Sequence, residues 1–209
     1  DVLLRPNPAG GWIVELNPDN LPRVLVNNIY SGMVTGGKLR KEDRDYLNEQ
    51  MQTANWLVKA LHQRAQTIMK VASTIVERQE LFFTKGVQYL KPLILRDISE
   101  AVDIHESTVS RATTNKYIST PRGMFELKYF FTASIAASGD GEAHSAEAVR
   151  HRIKALVDAE QANAILSDDT IVDLLREDGV DIARRTVAKY REALRIPSSV
   201  KRRRLKAMA

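Results

Sequence analysis

Arg184 and Arg185 stand side by side near the carboxy-terminal end of the chain. A guanidinium fork can donate two hydrogen bonds at once to O6 and N7 of a guanine in the major groove, worth about 1–3 kcal/mol of discrimination, and a lysine cannot copy that planar geometry. If Ile182 to Leu194 is helical, Ile182, Val187 and Tyr190 supply its packing side, while Arg184, Arg185, Ala188 and Lys189 project the other way, with Arg191 as a further cation of the reading set. Spacing alone leaves open that either arginine of the pair meets only a phosphate or a neighbouring acid. A second group, Glu106, Ser107, Ser110, Arg111 and Thr114, together with His105, would project from a helix over about Glu106 to Asn115. Its members are mostly short and all hydrogen-bonding, which suits contact with base edges. A third group, Lys201, Arg202, Arg203 and Arg204, could neutralise phosphates or be a solvated basic tail.

Other chemistries find little footing. The four histidines, His62, His105, His144 and His151, have no cysteine partners, because the chain has none, and no His-Glu-x-x-His pattern. The glycine pairs do not make a phosphate loop after a strand, and there is no Gly-x-Ser-x-Gly elbow. We therefore expect no enzymatic activity, no metal and no cofactor. Phe125, Tyr129, Phe130 and Phe131 could stack on bases, but Phe125 and Tyr129, with Leu127, read as the core side of a predicted helix.

Charge is distributed unevenly. The 209 residues carry a formal net +5. The last 29 residues alone sum to +8 and the remainder to −3, with ten acids against four bases between Asp140 and Gly179. The molecule is thus polarised, with a cationic end suited to phosphates. Composition, with 44% hydrophobic, 6% aromatic and 27% charged residues, fits a water-soluble and mostly helical protein. No stretch approaches the roughly 20 apolar residues of a membrane span, and residues 1–8 do not have the order of a signal peptide, so a cytoplasmic location is expected. Asp1 opens without a methionine and runs into a strand-like segment, as in a fragment of a longer protein.

The elements that must position these groups can be read from period and punctuation. Val2-Leu3-Leu4 and Trp12 to Leu16, separated by Pro6 to Gly11, predict a hairpin. At most one short helix or strand is expected around Arg23 to Tyr30. From Lys38 to Lys85 there is no Gly or Pro, and positions 47, 51, 54, 58, 61, 65, 68, 72, 75, 79 and 82 form a four-three seam that is apolar except at Gln79. That seam predicts one long helix or two abutting ones, about 60 Å in length at roughly 1.5 Å per residue, ended by Gly86 and Pro92. Ile98, Val102, Ile104, Val109 and Ala112, with small Ser99, have the spacing of a helix-turn-helix in which Asp103 takes the usual glycine position. Residues 137–145 read as a polar linker; Ser145 caps a helix to about Asp158, Ser167 caps another, and Gly179 stops it. The pairs Thr108-Val109 and Thr186-Val187, 78 residues apart and each followed two residues on by a base, suggest two recognition helices.

The run from Ala183 to Glu192 (Ala-Arg-Arg-Thr-Val-Ala-Lys-Tyr-Arg-Glu) resembles the RpoN box of the sigma-54 class of bacterial RNA polymerase sigma factors. His105 to Arg111, Lys116-Tyr117, Pro121-Arg122-Gly123 and Phe125 to Phe131 resemble that family's promoter-binding helix-turn-helix. Trp12 to Asn17 and Val76 to Gln79 resemble its core-binding region. The resemblance implies a sigma factor that binds core RNA polymerase and promoter DNA. It would read elements about 24 and about 12 base pairs upstream of the start, and an ATP-dependent activator would drive opening. In that family the RpoN-box helix reads the upstream element, here Arg184, Arg185, Ala188, Lys189 and Arg191; the helix-turn-helix and the long helix before it read the nearer one, here Glu106, Ser107, Ser110, Arg111 and Thr114. The family's Gln/Leu-rich activator-responsive region and the start of its core-binding part are not in this sequence.

The resulting expectation is a mostly α, multi-domain protein with a small amino-terminal hairpin, one very long helix and two helix-turn-helix-type modules. Residues 1–85 would form a partial core-polymerase-binding region, 86–137 a promoter-binding domain, 138–149 a linker and 150–209 the carboxy-terminal DNA reader, at home in the cytoplasm on the nucleoid. Composition alone leaves open a two-site repressor without polymerase, or a helical scaffold whose basic tail binds RNA.

Overall fold

Val2 and Leu4 point to the interior while Arg5 faces solvent, so the first strand has one buried face, and with that face in the core the backbone groups of its two edges need strand partners. The computed structural model describes residues 1–20, 24, 32, 40–135, 144–161 and 164–207. In it β1 (Val2–Pro6) and β2 (Trp12–Leu16) form the expected antiparallel hairpin, with Val2 opposite Leu16 and Pro6 opposite Trp12. The Asn7 side chain accepts from the Ala9 amide at 3.0 Å, and Gly10 and Gly11 take the positive φ angles that the turn requires. The other edge of β1 pairs in parallel with β3 (Tyr117–Thr120), Val2 opposite Ile118, and β3 is followed by antiparallel β4 (Gly123–Glu126). The sheet order is β2-β1-β3-β4. The region around Arg23 to Tyr30, where at most one short element was expected, lies, Val24 apart, outside the described residues.

The seam becomes α1 (Lys41–Arg78), 38 residues long, and α2 (Glu80–Lys85). All eleven seam positions are buried or half-buried, deeply so from Ile68 onward, whereas between Lys41 and Gln66 nearly every other residue is exposed. The helix therefore leaves the core at its middle and extends its first half outward. The break comes at Gln79, earlier than Gly86. The Arg122 guanidinium then donates to the carbonyls of Phe83 and Thr84 at 2.8 and 2.6 Å, closing the end of α2.

Two eight-residue helices follow, α3 (Leu95–Val102) and α4 (Glu106–Thr113), joined by three residues in which Asp103 is left-handed at φ 56°. Ile98 and Ser99 of α3 and Val109, Ala112 and Thr113 of α4 are buried against α1. Phe125, Leu127 and Tyr129 belong to the core, as expected, and Phe130 and Phe131 join them, but the stretch is not helical: Phe125 is in β4, and Leu127 to Phe130 form a single 3-10 turn. Short strands of four residues with a tight Pro121-Arg122 corner leave too little periodicity to be read in advance. Phe82, Phe83, Phe125, Tyr129 and Phe130 pack edge to face or tilted with centroids 5.1–6.1 Å apart, so these rings are engaged with one another rather than held out for bases. One hydrophobic cluster runs from Val2 and Leu4 through Ile75 and Phe82 to Ile98, Val109 and Phe130. The hairpin, the second half of α1 and the α3/α4 pair thus share one core, and position 85 does not divide two cores.

A second cluster gathers α5 (Ala146–Asp158), α6 (Asp168–Glu177) and α7 (Arg184–Ala193) around Val149, Ile153, Ile171, Leu175, Ile182 and Val187. Both expected caps are present: Ser145 Oγ accepts from the Ala148 amide at 3.1 Å and Ser167 Oγ from Thr170 at 3.0 Å. A two-residue pairing of β5 (Ser134–Ile135) with β6 (His144–Ser145) leads into α5. The range 138–149 set aside as linker therefore ends inside a strand and a helix; residues 136–143 lie outside the described residues. The last element is α8 (Ser199–Ala207). Among the described residues no helix is long and apolar enough to cross a membrane.

Candidate nucleic-acid interface

Helix α7 buries Val187 against the second cluster, with Ile182 before it and Tyr190 on the same side. Arg184, Arg185 and Lys189 are exposed, Arg185 and Lys189 opposite Val187 and Arg184 on its flank one turn earlier, with Ala188 half-buried. Arg184 lies 3.2 Å from Asp169, but both side chains are more than half exposed, and a pair of that kind is worth about 0–1 kcal/mol. Its fork can leave for a better acceptor at little cost. Arg185 and Lys189 have no ion-pair partner among the described residues.

Arg191 departs from the expected set. Its side chain is 7% exposed; Nε donates to Asp168 at 2.9 Å and Nη1 to the Ile196 carbonyl at 2.8 Å. It is four residues after Val187 and so shares the buried face, which is why it ties α7 to the first turn of α6 instead of meeting a duplex. The carbonyl it holds belongs to the chain just past a left-handed Arg195, φ 57°, where Ile196 N returns to Arg191 O at 3.0 Å and Arg195 N to Glu192 O at 2.8 Å. Helix α6 ends in the same pattern around Gly179, with Val180 N bonded to Leu175 O at 2.8 Å and Gly179 N to Arg176 O at 2.9 Å. Tyr190 also faces inward, under the Arg150 guanidinium at 5.0 Å.

Among the basic residues of α8, Lys201, Arg203 and Arg204 are exposed without ion-pair partners among the described residues, but Arg202 is buried. Its guanidinium bonds Glu160 at 2.9 and 3.1 Å and the carbonyls of Pro197 and Leu166 at 2.6 and 2.8 Å, so all three of its nitrogens donate inside the fold and the buried head is turned away from any phosphate. Burial alone would push the Glu160 carboxyl up; hydrogen bonding and charge from Arg202, the Leu166 amide and Lys206 outweigh it and hold the group below the ordinary carboxylate range.

The other expected face is on α4. Glu106, Ser107, Arg111 and Thr114 are exposed and Ser110 is half-buried, so the five share one side of the helix opposite Val109 and Ala112. His105 is the amino-terminal cap: Nδ1 accepts from the Ser107 amide at 3.1 Å and lies 2.8 Å from Ser107 Oγ. Thr114 Oγ1 donates to the Ser110 carbonyl at 2.8 Å, leaving its oxygen as an acceptor. Beside this face a groove of about 400 Å³ is lined by Gln63, Arg64 and Thr67 of α1 with Thr108 and Arg111 of α4. Arg64 and Arg111, 47 positions apart, thereby join one basic surface, a neighbourhood that only the α1–α4 packing creates. No group of three or more metal-ligating side chains occurs among the described residues.

Residues 44–204 match the family model described as sigma-54, DNA binding domain. The chain is 62% identical over its whole length to RNA polymerase sigma-54 factor 2 of Bradyrhizobium diazoefficiens, of which it covers 39%. It is 58% identical over 98% of its length to RNA polymerase sigma-54 factor of Caulobacter vibrioides, covering 41% of that protein. The chain thus spans about two fifths of these relatives. A solved structure, Aquifex aeolicus sigmaN bound to promoter DNA, matches 97% of this chain and 59% of its own with a TM-score of 0.62 at 33% identity. With its exposed Arg184-Arg185 helix face and a match that takes in more than three quarters of its length, the chain belongs to the sigma-54 DNA-binding domain family.

Proposed function

We propose that this chain is the promoter-reading part of a sigma-54-type initiation factor. Helix α7 enters the major groove of the upstream element with Arg184, Arg185, Ala188 and Lys189, and α3 with α4 acts as a helix-turn-helix whose Glu106, Ser107, Ser110, Arg111 and Thr114 read the nearer element beside Arg64 of α1. Lys201, Arg203 and Arg204 meet phosphates. The observation that carries the reading is the division of α7 into a buried side, Val187 and Arg191, and an exposed cationic side, Arg184, Arg185 and Lys189, on a chain of this family. A buried side fixes the helix on its scaffold, and an exposed fork of donors can then meet guanine edges in a fixed register.

In the same reading the longer protein joins core RNA polymerase through a surface that includes residues 1–85, acts in the cytoplasm on the nucleoid, and leaves promoter opening to an ATP-dependent activator. The expected division into 86–137 and 150–209 corresponds to the two DNA-reading surfaces. The test is a gel shift at a stated salt concentration with duplexes carrying both elements, one or neither. Binding ordered both, one, neither agrees with the proposal; equal binding of all three overturns it.

A further inference from the structure

Helix α8 is attached in an unusual way. Val200 and Leu205, its largest apolar residues, are 60% and 53% exposed, so no apolar stripe holds it to the second cluster. What holds it is a polar dock centred on one carboxylate, with the Leu166 carbonyl accepting from Arg202 at 2.8 Å beside it. Glu160, just past the end of α5, has a side chain with no exposed surface. It receives two bonds from Arg202 at 2.9 and 3.1 Å and the Leu166 amide at 3.3 Å, while Lys206 Nζ lies 3.4 Å from its Oε1 and 2.8 Å from its backbone carbonyl. Arg202 and Lys206 are one helical turn apart, so both inward-facing cations of α8 converge on the same residue. Lys201, Arg203 and Arg204 are consequently turned outward.

We infer that Glu160 is a positioning residue for DNA binding: by docking α8 through Arg202 and Lys206, it aims Lys201, Arg203 and Arg204 at the backbone of the duplex that α7 reads. This rests on the proposed function. It makes a prediction of unusual sign. Glu160→Gln removes a negative charge from a DNA-binding chain, which by long-range attraction alone strengthens DNA binding. Undocking α8 instead scatters three phosphate-facing cations and weakens it. Each lost phosphate contact lowers the log–log salt slope by about 0.9, so the slope falls by up to about 2.7 and affinity near 0.15 M salt by about 10- to 100-fold.

The experiment measures duplex binding across salt for wild type, Glu160→Gln, the Lys201→Gln/Arg203→Gln/Arg204→Gln triple variant and the combination, with amide hydrogen exchange of residues 168–206. The expected result is a Glu160→Gln slope close to that of the triple variant, no further loss in the combination, and faster exchange confined to α8. Guanine discrimination at the upstream element stays intact. A second variant, Glu160→Met/Arg202→Leu, replaces the pair by apolar groups of similar volume; its recovery of slope and of α8 protection supports positioning. Unchanged or tighter binding by Glu160→Gln with α8 undocked overturns the positioning role alone. Faster exchange throughout α6 and α7 also overturns it, since the residue then supports the whole unit. Failure of the wild-type chain to bind any duplex overturns the promoter reading and the positioning role together.

Discussion

The Gln79 side chain forms both halves of a backbone-like pairing with Lys91: Nε2 donates to the Lys91 carbonyl at 2.8 Å, and Oε1 accepts from the Lys91 amide at 3.0 Å. Gln79 sits where α1 ends and is 1% exposed. The one polar position of the seam is therefore the point at which the long helix is clasped to the segment entering α3. Gln79→Leu keeps the volume and loses both bonds, and we expect about 1–3 kcal/mol of destabilisation in urea unfolding. Gln79→Glu can accept but cannot donate when ionised. It should be the worse variant at neutral pH and recover as the solution is made acidic.

Arg185 and Arg191 should separate cleanly although both are arginines of one decapeptide. Arg185→Lys should leave unfolding unchanged and lose discrimination at one guanine, by about 1–3 kcal/mol. Arg191→Ala strips Asp168 and the Ile196 carbonyl of their partner and should destabilise the α5–α7 unit by about 3–5 kcal/mol. Circular dichroism melts beside competition shifts with substituted guanines read both quantities.

Arg195 is a left-handed residue in a position that Gly179 fills at the end of α6. Arg195→Gly should relieve that conformation and stabilise the chain by about 1 kcal/mol in chemical denaturation. If the stability falls instead, the Arg195 side chain contributes more than its backbone costs.

Burial, then the nearby Glu147 charge, push Tyr129 up to about 12 against a smaller opposing effect of Arg150. The folded state thus keeps the proton that an unfolded tyrosine loses near pH 10. The Tyr129 contribution to stability is complete below about pH 10 and is lost between there and about 12. The fall in urea midpoint over that range should be smaller in Tyr129→Phe, and the ultraviolet phenolate titration of that variant should lack the component near 12.

Glu160 works in the opposite direction. Its folded-state carboxyl is held low, so the docking of α8 is fully present above the ordinary carboxylate range and disappears as pH falls through the lowered value. Amides of residues 199–206 should lose exchange protection on acidification before those of α6.

The seam running through α1 into α2 was legible because eleven positions spaced alternately four and three apart cannot be mistaken for chance, and Ser145 and Ser167 were legible because capping is a local bond. The packing side of α7 followed from Ile182, Val187 and Tyr190, which do gather on the second cluster. Arg191 and Arg202 were not legible as interior residues, since their partners lie 23 and 42 positions away and charge by itself predicts exposure. Spacing carried a hint for Arg191, one turn after Val187. Strands β3 and β4 were missed for a related reason: each has four residues, and β3 is specified by β1, more than a hundred positions earlier.

That parallel pairing of Val2 with Ile118 also sets an order of events during translation. Residue 118 is polymerised 116 positions after residue 2, which at about 5–20 residues per second is roughly 6–23 s later. Through that interval the edge of β1 that β3 will cover lacks that partner, while α1 can already wind from local contacts. Strand β1 thus waits for β3, and a stalled or truncated chain ending before Tyr117 would leave without its β3 partner a strand edge of the kind that recruits other chains.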